Sequence, residues 1–315
     1  MNTGMPSDEL FILALPPVIK GFGMHDKKWK VKWDDKMFKH LVLDQQKKDL
    51  IEATIQVHMH KKMTSDIMEG KGNGLILLLH GGPGTGKTLT AESIAELVRK
   101  PLYRVTCGDI GTNPESVEEY LNSALHVGNT WQAVVLLDES DIFLEEREKF
   151  DLQRNALVSV FLRVLEYYDG ILILTSNRVG TFDEAFKSRV QLALHYPPLD
   201  TKGREKIWNN FIKMLKHPRS SEKSPQTGDA IYPEEVDIED LQDNLNLLGS
   251  QNLNGRQIRN ALTTARQLAM FRRQPLGFRH LEQTIGAIVD FEGYIQETRG
   301  QSEASLAREG GRRAE

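Results

Sequence analysis

Leu75-Ile76-Leu77-Leu78-Leu79-His80-Gly81-Gly82-Pro83-Gly84-Thr85-Gly86-Lys87-Thr88 is the stretch that decides how this chain folds. Its apolar opening, Leu75 to His80, reads as a buried strand, and it breaks abruptly into a glycine-rich loop. Beyond the loop, Leu89 to Lys100 carries Ala91, Ile94, Ala95 and Val98 on one helical face and stops at Pro101. Gly81 to Thr88 fits G-x-x-x-x-G-K-[ST] in the context that gives the pattern meaning, a strand before it and a helix after it. Glycines let the backbone bend so that several N–H groups face one anion, and the positive end of the following helix adds to the attraction. A glycine-rich turn with a chance lysine is the competing reading, and the strand and helix count against it.

Outward from this loop, four more short runs read as buried parallel strands: Leu102 to Thr106, Ala133 to Asp138, Ile171 to Thr175 and Gln191 to His195. Asp151 to Tyr167 is a strongly apolar helix, and Phe38 to Lys62 carries Leu41, Leu50, Ile51, Ile55 and Met59 near helical spacing before the breaker cluster Gly70 to Gly74. Strands alternating with helices predict an α/β fold, a doubly wound parallel five-stranded sheet of the P-loop NTPase type. After Pro197-Pro198 the strands cease. Thr201 to Lys216, Ile238 to Leu248, Gly255 to Arg273 and Phe278 to Tyr294 predict a small all-helical lid domain, with a mobile loop over Pro218 to Ala230. The expected division is a linker over 1–36, the α/β domain over 37–200, the lid over 201–295 and a disordered tail over 296–315.

Composition is that of an ordinary globular protein of 315 residues, with a formal net charge of −4 that gives no global pull toward nucleic acid or anionic membrane. The mixed basic and aromatic stretch Asp26 to Trp33 could stack on single-stranded nucleic acid, but Asp34 and Asp35 follow at once and a packed, solvated arm is the plainer reading. One cysteine, Cys107, excludes an intramolecular disulfide and points to a reducing compartment. Leu10 to Leu15, cut off by Pro16-Pro17, resembles neither a secretory signal nor a membrane span, so a soluble intracellular protein of the cytoplasm or nucleus is expected. His58 and His60, two apart on a helix, point away from each other and do not form a metal pair.

The chemistry expected at the loop is nucleotide chemistry. Lys87 should reach the β- and γ-phosphates of ATP and Thr88 should ligate Mg²⁺, with Gly81 through Leu89 forming the nucleotide contact. Ala133 to Glu139 is an apolar strand ending in two carboxylates: Asp138 suits the metal shell, and Glu139 can polarise a water for in-line attack. An exposed acidic turn is the alternative. Asn177, just past a strand expected to lie between the two phosphate-binding strands, could orient that water or merely cap a turn. Arg189 follows a helical turn at Asp183 to Ser188 and suits a neighbouring subunit's γ-phosphate better than its own, with a surface salt bridge as the alternative.

Together these residues resemble the AAA+ ATPases: Walker A at Gly81 to Thr88, Walker B at Asp138-Glu139, sensor 1 at Asn177 and an arginine finger at Arg189. The lid opener Pro198-Leu199-Asp200-x-x-x-Arg204-x-x-Ile207 matches too, as does Gly255-Arg256 at the sensor 2 position. The run from Tyr167 to Gly170 and on through Asn177 to Arg189 is similar to a set of AAA-type ATPases from filamentous fungi. In those the module usually follows a larger N-terminal region, beside which this chain looks short. The resemblance implies a hexameric ring with ATP at subunit interfaces, Arg189 acting in trans and Arg256 in cis, and lid motion coupled to remodelling of a protein client. Two departures stand out: Asp109 to Pro114 lacks the aromatic residue of protein-threading members, and Ser188-Arg189 with Gln191 beyond it is closer to clamp loaders, which keeps a DNA-associated ATPase as an alternative. A slow or non-hydrolysing ATP-binding switch is the other. No Asn-Lys-x-Asp motif supports a GTPase, and no Ser-Gly-Gly signature supports a transporter ATPase.

Overall fold

The computed structural model describes residues 22–23, 28–29, 33–34, 36–60, 74–106, 113–144, 151–178, 182–216 and 235–299. Most of the expected linker, Cys107, the loop 109–112, the loop over 218–230 and the tail from Gly300 lie outside the described residues. Two compact units emerge, one reaching Gly81 and resuming over Lys87–Tyr196, the other holding Gly82–Gly86 and the chain from Pro197 onward.

The first unit is built on five parallel strands: β1 (Leu75–Gly81), β2 (Leu102–Thr106), β3 (Val134–Asp138), β4 (Ile171–Ser176) and β5 (Leu192–Tyr196), in the order β2-β3-β4-β1-β5. Central strands β3 and β4 are buried along their whole length, which is why their sequences run apolar without alternation. Successive side chains point to opposite faces, so β1 sends Ile76 and Leu78 one way and Leu75, Leu77 and Leu79 the other. Against the first face pack α3 (Pro114–Thr130), α4 (Asp141–Leu144), α5 (Leu152–Glu166) and α6 (Glu184–Lys187). Against the second lie α1 (Gln45–His60), through Ile51 and Ile55, and α2 (Lys87–Val98), through Ala91, Ile94 and Ala95. The doubly wound sheet expected from the alternation of strands and helices is the fold observed.

Local differences from the sequence reading have physical causes. Helix α2 starts at Lys87, two residues before the periodic stretch, because the loop itself delivers the chain into helical geometry. Leu50 and Met59, counted among the apolar positions of α1, are exposed, and only Ile51 and Ile55 of that helix reach the core. Helix α3 has no counterpart among the expected elements, although Asn113 caps it by accepting from Glu115 N at 2.9 Å, Pro114 opens it, and Val117, Leu121 and Ala124 line one face.

In the second unit, helices α7 (Thr201–Lys216), α8 (Ile238–Asp243), α9 (Leu245–Ser250), α10 (Gly255–Arg272) and α11 (Phe278–Arg299) close on Trp208, Ile212, Leu241, Leu248, Ile258, Leu262 and Leu281. The single helix expected over Ile238 to Leu248 is two, broken at Asn244, whose amide donates to Asp240 O at 2.8 Å. Helix α11 runs past Tyr294 to Arg299, the last of the described residues. The opener motif has a structural explanation. Asp200 accepts from Gly203 N at 2.7 Å, and the buried Arg204 donates to Leu199 O at 2.6 Å and Gly249 O at 2.8 Å, tying the start of α7 to the end of α9.

His80, the last residue before the loop, is held neutral down to about pH 4, against an ordinary value of 6.5, first by burial and then by electrostatic repulsion from the nearby His195, Lys87 and Lys47. Between those two pH values the unfolded chain takes up a proton that the folded chain refuses, so stability should fall as pH drops from about 6.5 toward 4 and this contribution should level off below that. Urea unfolding midpoints from pH 7 to 4.5 should show a smaller acid loss for His80→Gln than for the parent; equal slopes would remove His80 from the account.

Candidate nucleotide-binding and hydrolysis site

The loop between β1 and α2 adopts a backbone that only glycine adopts freely. Gly81, Gly84 and Gly86 have φ of +144°, +71° and +104°. At Gly81 a side chain is also excluded by space, since a Cβ would lie 2.2 Å from Tyr196 O on the neighbouring strand. Thr85 Oγ1 donates to Gly82 O at 2.8 Å, and within the second unit Gly255 N donates to Gly84 O at 2.9 Å. Pro83 fixes one φ of the same turn. Lys87, the first residue of α2, is buried at 7% exposure and its Nζ donates to Gly81 O at 2.7 Å, so the ammonium is folded over the loop. Leu89 is half exposed on the next turn.

Thr88 and Asp138 come together although 50 residues separate them: Thr88 Oγ1 lies 3.4 Å and 3.5 Å from the two carboxylate oxygens. A hydroxyl and a carboxylate presented side by side at the end of a buried strand are the hard oxygen ligands that Mg²⁺ takes. The buried ammonium of Lys87 beside Gly81 and this oxygen pair therefore fit the phosphates of a nucleotide with its metal. Glu139 follows with its side chain exposed and its backbone at φ +57°, a conformation that costs a non-glycine residue of order 1–3 kcal/mol and clusters at functional sites.

Two residues that sequence reasoning did not single out complete the setting of Asp138. Thr175, fully buried on β4, donates through Oγ1 to Asp138 Oδ1 and accepts from Glu139 N at 3.0 Å. Arg104 on β2 donates to Asp138 Oδ2 at 2.5 Å while keeping half its side chain in solvent. The signal for Arg104 exists only in the register: Thr106 pairs with Asp138, so Arg104 sits two residues back on the same face of the adjoining strand. Asn177 lies just beyond β4, its backbone N–H donating to Asp141 Oδ1 at 3.1 Å, and β4 does run between β1 and β3. Arg189 is engaged within its own subunit: Nη1 donates to Ala185 O at 2.7 Å, Nη2 lies 3.7 Å from Glu166, and Nε is buried without a partner. Arg256 is exposed at the start of α10, behind the capping box of Asn254 and Gln257.

Replacing Thr175 by valine keeps the shape and removes both hydrogen bonds. The expected outcome is a loss of about 1–3 kcal/mol in urea unfolding, the cost of removing a donor from the buried Asp138 carboxylate and an acceptor from the partly buried Glu139 N–H. An unchanged midpoint would show that the hydroxyl carries no weight.

Comparison with known proteins gives the same answer along the chain. Residues 77–198 match the ATPase family associated with various cellular activities (AAA), and residues 199–302 match the fungal AAA+ ATPase lid domain. Among curated relatives, the human ATPase family AAA domain-containing protein 3B is 30% identical over 145 residues, covering 44% of this chain and 22% of that protein. The 26S proteasome regulatory subunit 6B homolog of Aspergillus niger is 27% identical over 195 residues, covering 55% and 44%. Fidgetin-like protein 1 of Drosophila melanogaster is 26% identical over 211 residues, covering 63% and 38%. The matched part is thus less than half the length of each of these relatives. An AAA domain on a parallel sheet, followed directly by the fungal form of the helical lid, accounts for residues 77–302, and the chain belongs to the AAA+ ATPases.

Proposed function

We propose that this protein binds ATP with Mg²⁺, hydrolyses its terminal phosphoanhydride bond and uses the cycle to remodel a protein or protein complex. The observation that carries the reading is the meeting of Thr88 with Asp138, beside the exposed carboxylate of Glu139, at the mouth of a loop built for phosphate. Mg²⁺ bound there would neutralise charge on the β- and γ-phosphate oxygens. Thr88 and Asp138 hold it, and Lys87 exchanges the Gly81 carbonyl for phosphate oxygens. Glu139 accepts a proton from water as the water oxygen bonds to the γ-phosphorus and the bond to the bridging oxygen breaks, leaving ADP and phosphate. Asn177 orients that water. Arg256 is assigned to the same nucleotide from the lid.

Arg189 is assigned to the nucleotide of an adjoining subunit in a hexameric ring. To serve there, its guanidinium must exchange Ala185 O and Glu166 for phosphate oxygens. The remodelling role draws support from the family and from relatives that include a proteasome regulatory subunit homolog. No helix among the described residues is long and apolar enough to cross a membrane.

Calorimetric titration with MgATP should give saturable binding to the parent protein, weak or no binding to Lys87→Ala, and near-parental binding to Glu139→Gln. Turnover by Glu139→Gln should fall at least about 100-fold. Parent-like turnover would take the base role away from Glu139. For the finger, Arg189→Ala and Lys87→Ala proteins, each inactive alone, should regain activity when mixed, because mixed rings contain interfaces with one intact loop and one intact arginine. Absence of recovery at every ratio would rule out action in trans.

A further inference from the structure

We propose that Asp141 is a positioning residue for hydrolysis, holding the backbone at Asn177 in fixed relation to Asp138 and Glu139; the inference rests on the hydrolytic reading of this site. The parallel ladder between β3 and β4 ends at Leu137 and Leu174. Beyond it the two strand ends are joined residue by residue, mostly through side chains. Asp138 accepts from Thr175 Oγ1, Glu139 N donates to the same hydroxyl at 3.0 Å, and Ser140 donates to Thr175 O at 2.9 Å through both N and Oγ. All of these bonds stop at Thr175. Asp141 alone reaches further: its Oδ1 accepts from Ser176 Oγ, from Asn177 N at 3.1 Å and from Arg178 N at 3.4 Å.

Three donors converge on one carboxylate oxygen, so the charge of Asp141 is shared among bonds to three successive residues. Its chemical effect is geometric. Past the strand end the Asn177 N–H donates to this oxygen, and the Arg178 N–H donates to it and to the Ser176 hydroxyl. Asp141 therefore decides where the amide side chain of Asn177 starts. Asn177 and Glu139 would address the same attacking water, and displacing one of them by about an ångström costs rate on the order of 100-fold without touching the phosphate loop. Asp141 itself is offered no contact with nucleotide.

A purely structural role and a positioning role differ in what they move. In the full-length protein, Asp141→Ala should lower kcat by about 30–100-fold while KM, and the Kd for a fluorescent ATP analogue with Mg²⁺, stay within about threefold of the parent. Asp141→Asn keeps an oxygen acceptor but loses the charge, so its kcat should fall only about 3–10-fold at the same Kd. The order parent, asparagine, alanine at constant Kd supports the assignment. Parental kcat in Asp141→Ala, or a loss of kcat matched by an equal loss of analogue binding, overturns it. If Asp141→Ala does not fold, Asp141→Asn decides by the same two criteria. A parent protein that binds the analogue and never turns it over would instead sink the hydrolytic reading, and the inference with it.

Discussion

The insertion of Ile171–Ser176 between Leu75–Gly81 and Val134–Asp138 is the constraint on which the rest of the structure depends. Three adjacent strands with almost no exposed side chain cannot leave backbone groups unpaired, so the parallel ladders fix their mutual register. That register brings the ends of β1, β3 and β4 to one edge of the sheet, where the phosphate loop, the two carboxylates and Asn177 leave their strands in turn. Ligand sites of open parallel sheets lie at such strand ends, where the chain has to turn.

The polar part of the site grows from that apolar base. A buried carboxylate such as Asp138 persists only with partners, and Thr175, Arg104 and Thr88 surround it from three different elements. The same Thr175 hydroxyl supports the left-handed backbone at Glu139, so one side chain serves both acidic residues. Asp141 continues the pattern to Asn177. A change at any of these positions is felt by its neighbours, and their effects on rate should not add.

Charge at the loop is managed by proximity as much as by motif. Burial first, and then the electrostatic influence of His195, Lys87 and Lys47, keep His80 neutral, so the positive charge beside Gly81 is the ammonium of Lys87 rather than an imidazolium. Arg189 shows the other side of the same economy of space: its backbone and one guanidinium nitrogen close the short helix Glu184–Lys187, through Phe186 O and Ala185 O.

Sequence alone determined the elements whose physics is local. The glycines of Gly81–Gly86 are required by backbone angles, the helix after them by its apolar face, the strands β1, β3 and β4 by unbroken apolar runs, and Asp138-Glu139 by their place at a strand end. Helix Pro114–Thr130 is equally local, with Asn113-Pro114 at its start and Val117, Leu121 and Ala124 on one face. Tertiary structure decided the rest. Thr175 and Arg104 acquire meaning only when register sets them beside Asp138, Leu50 turns outward because the sheet covers Ile51 and Ile55, and Asp141 becomes a link only when β4 lies next to β3. Periodicity reports which face of an element is apolar, whereas neighbours across a sheet are set by long-range pairing that no stretch of sequence contains.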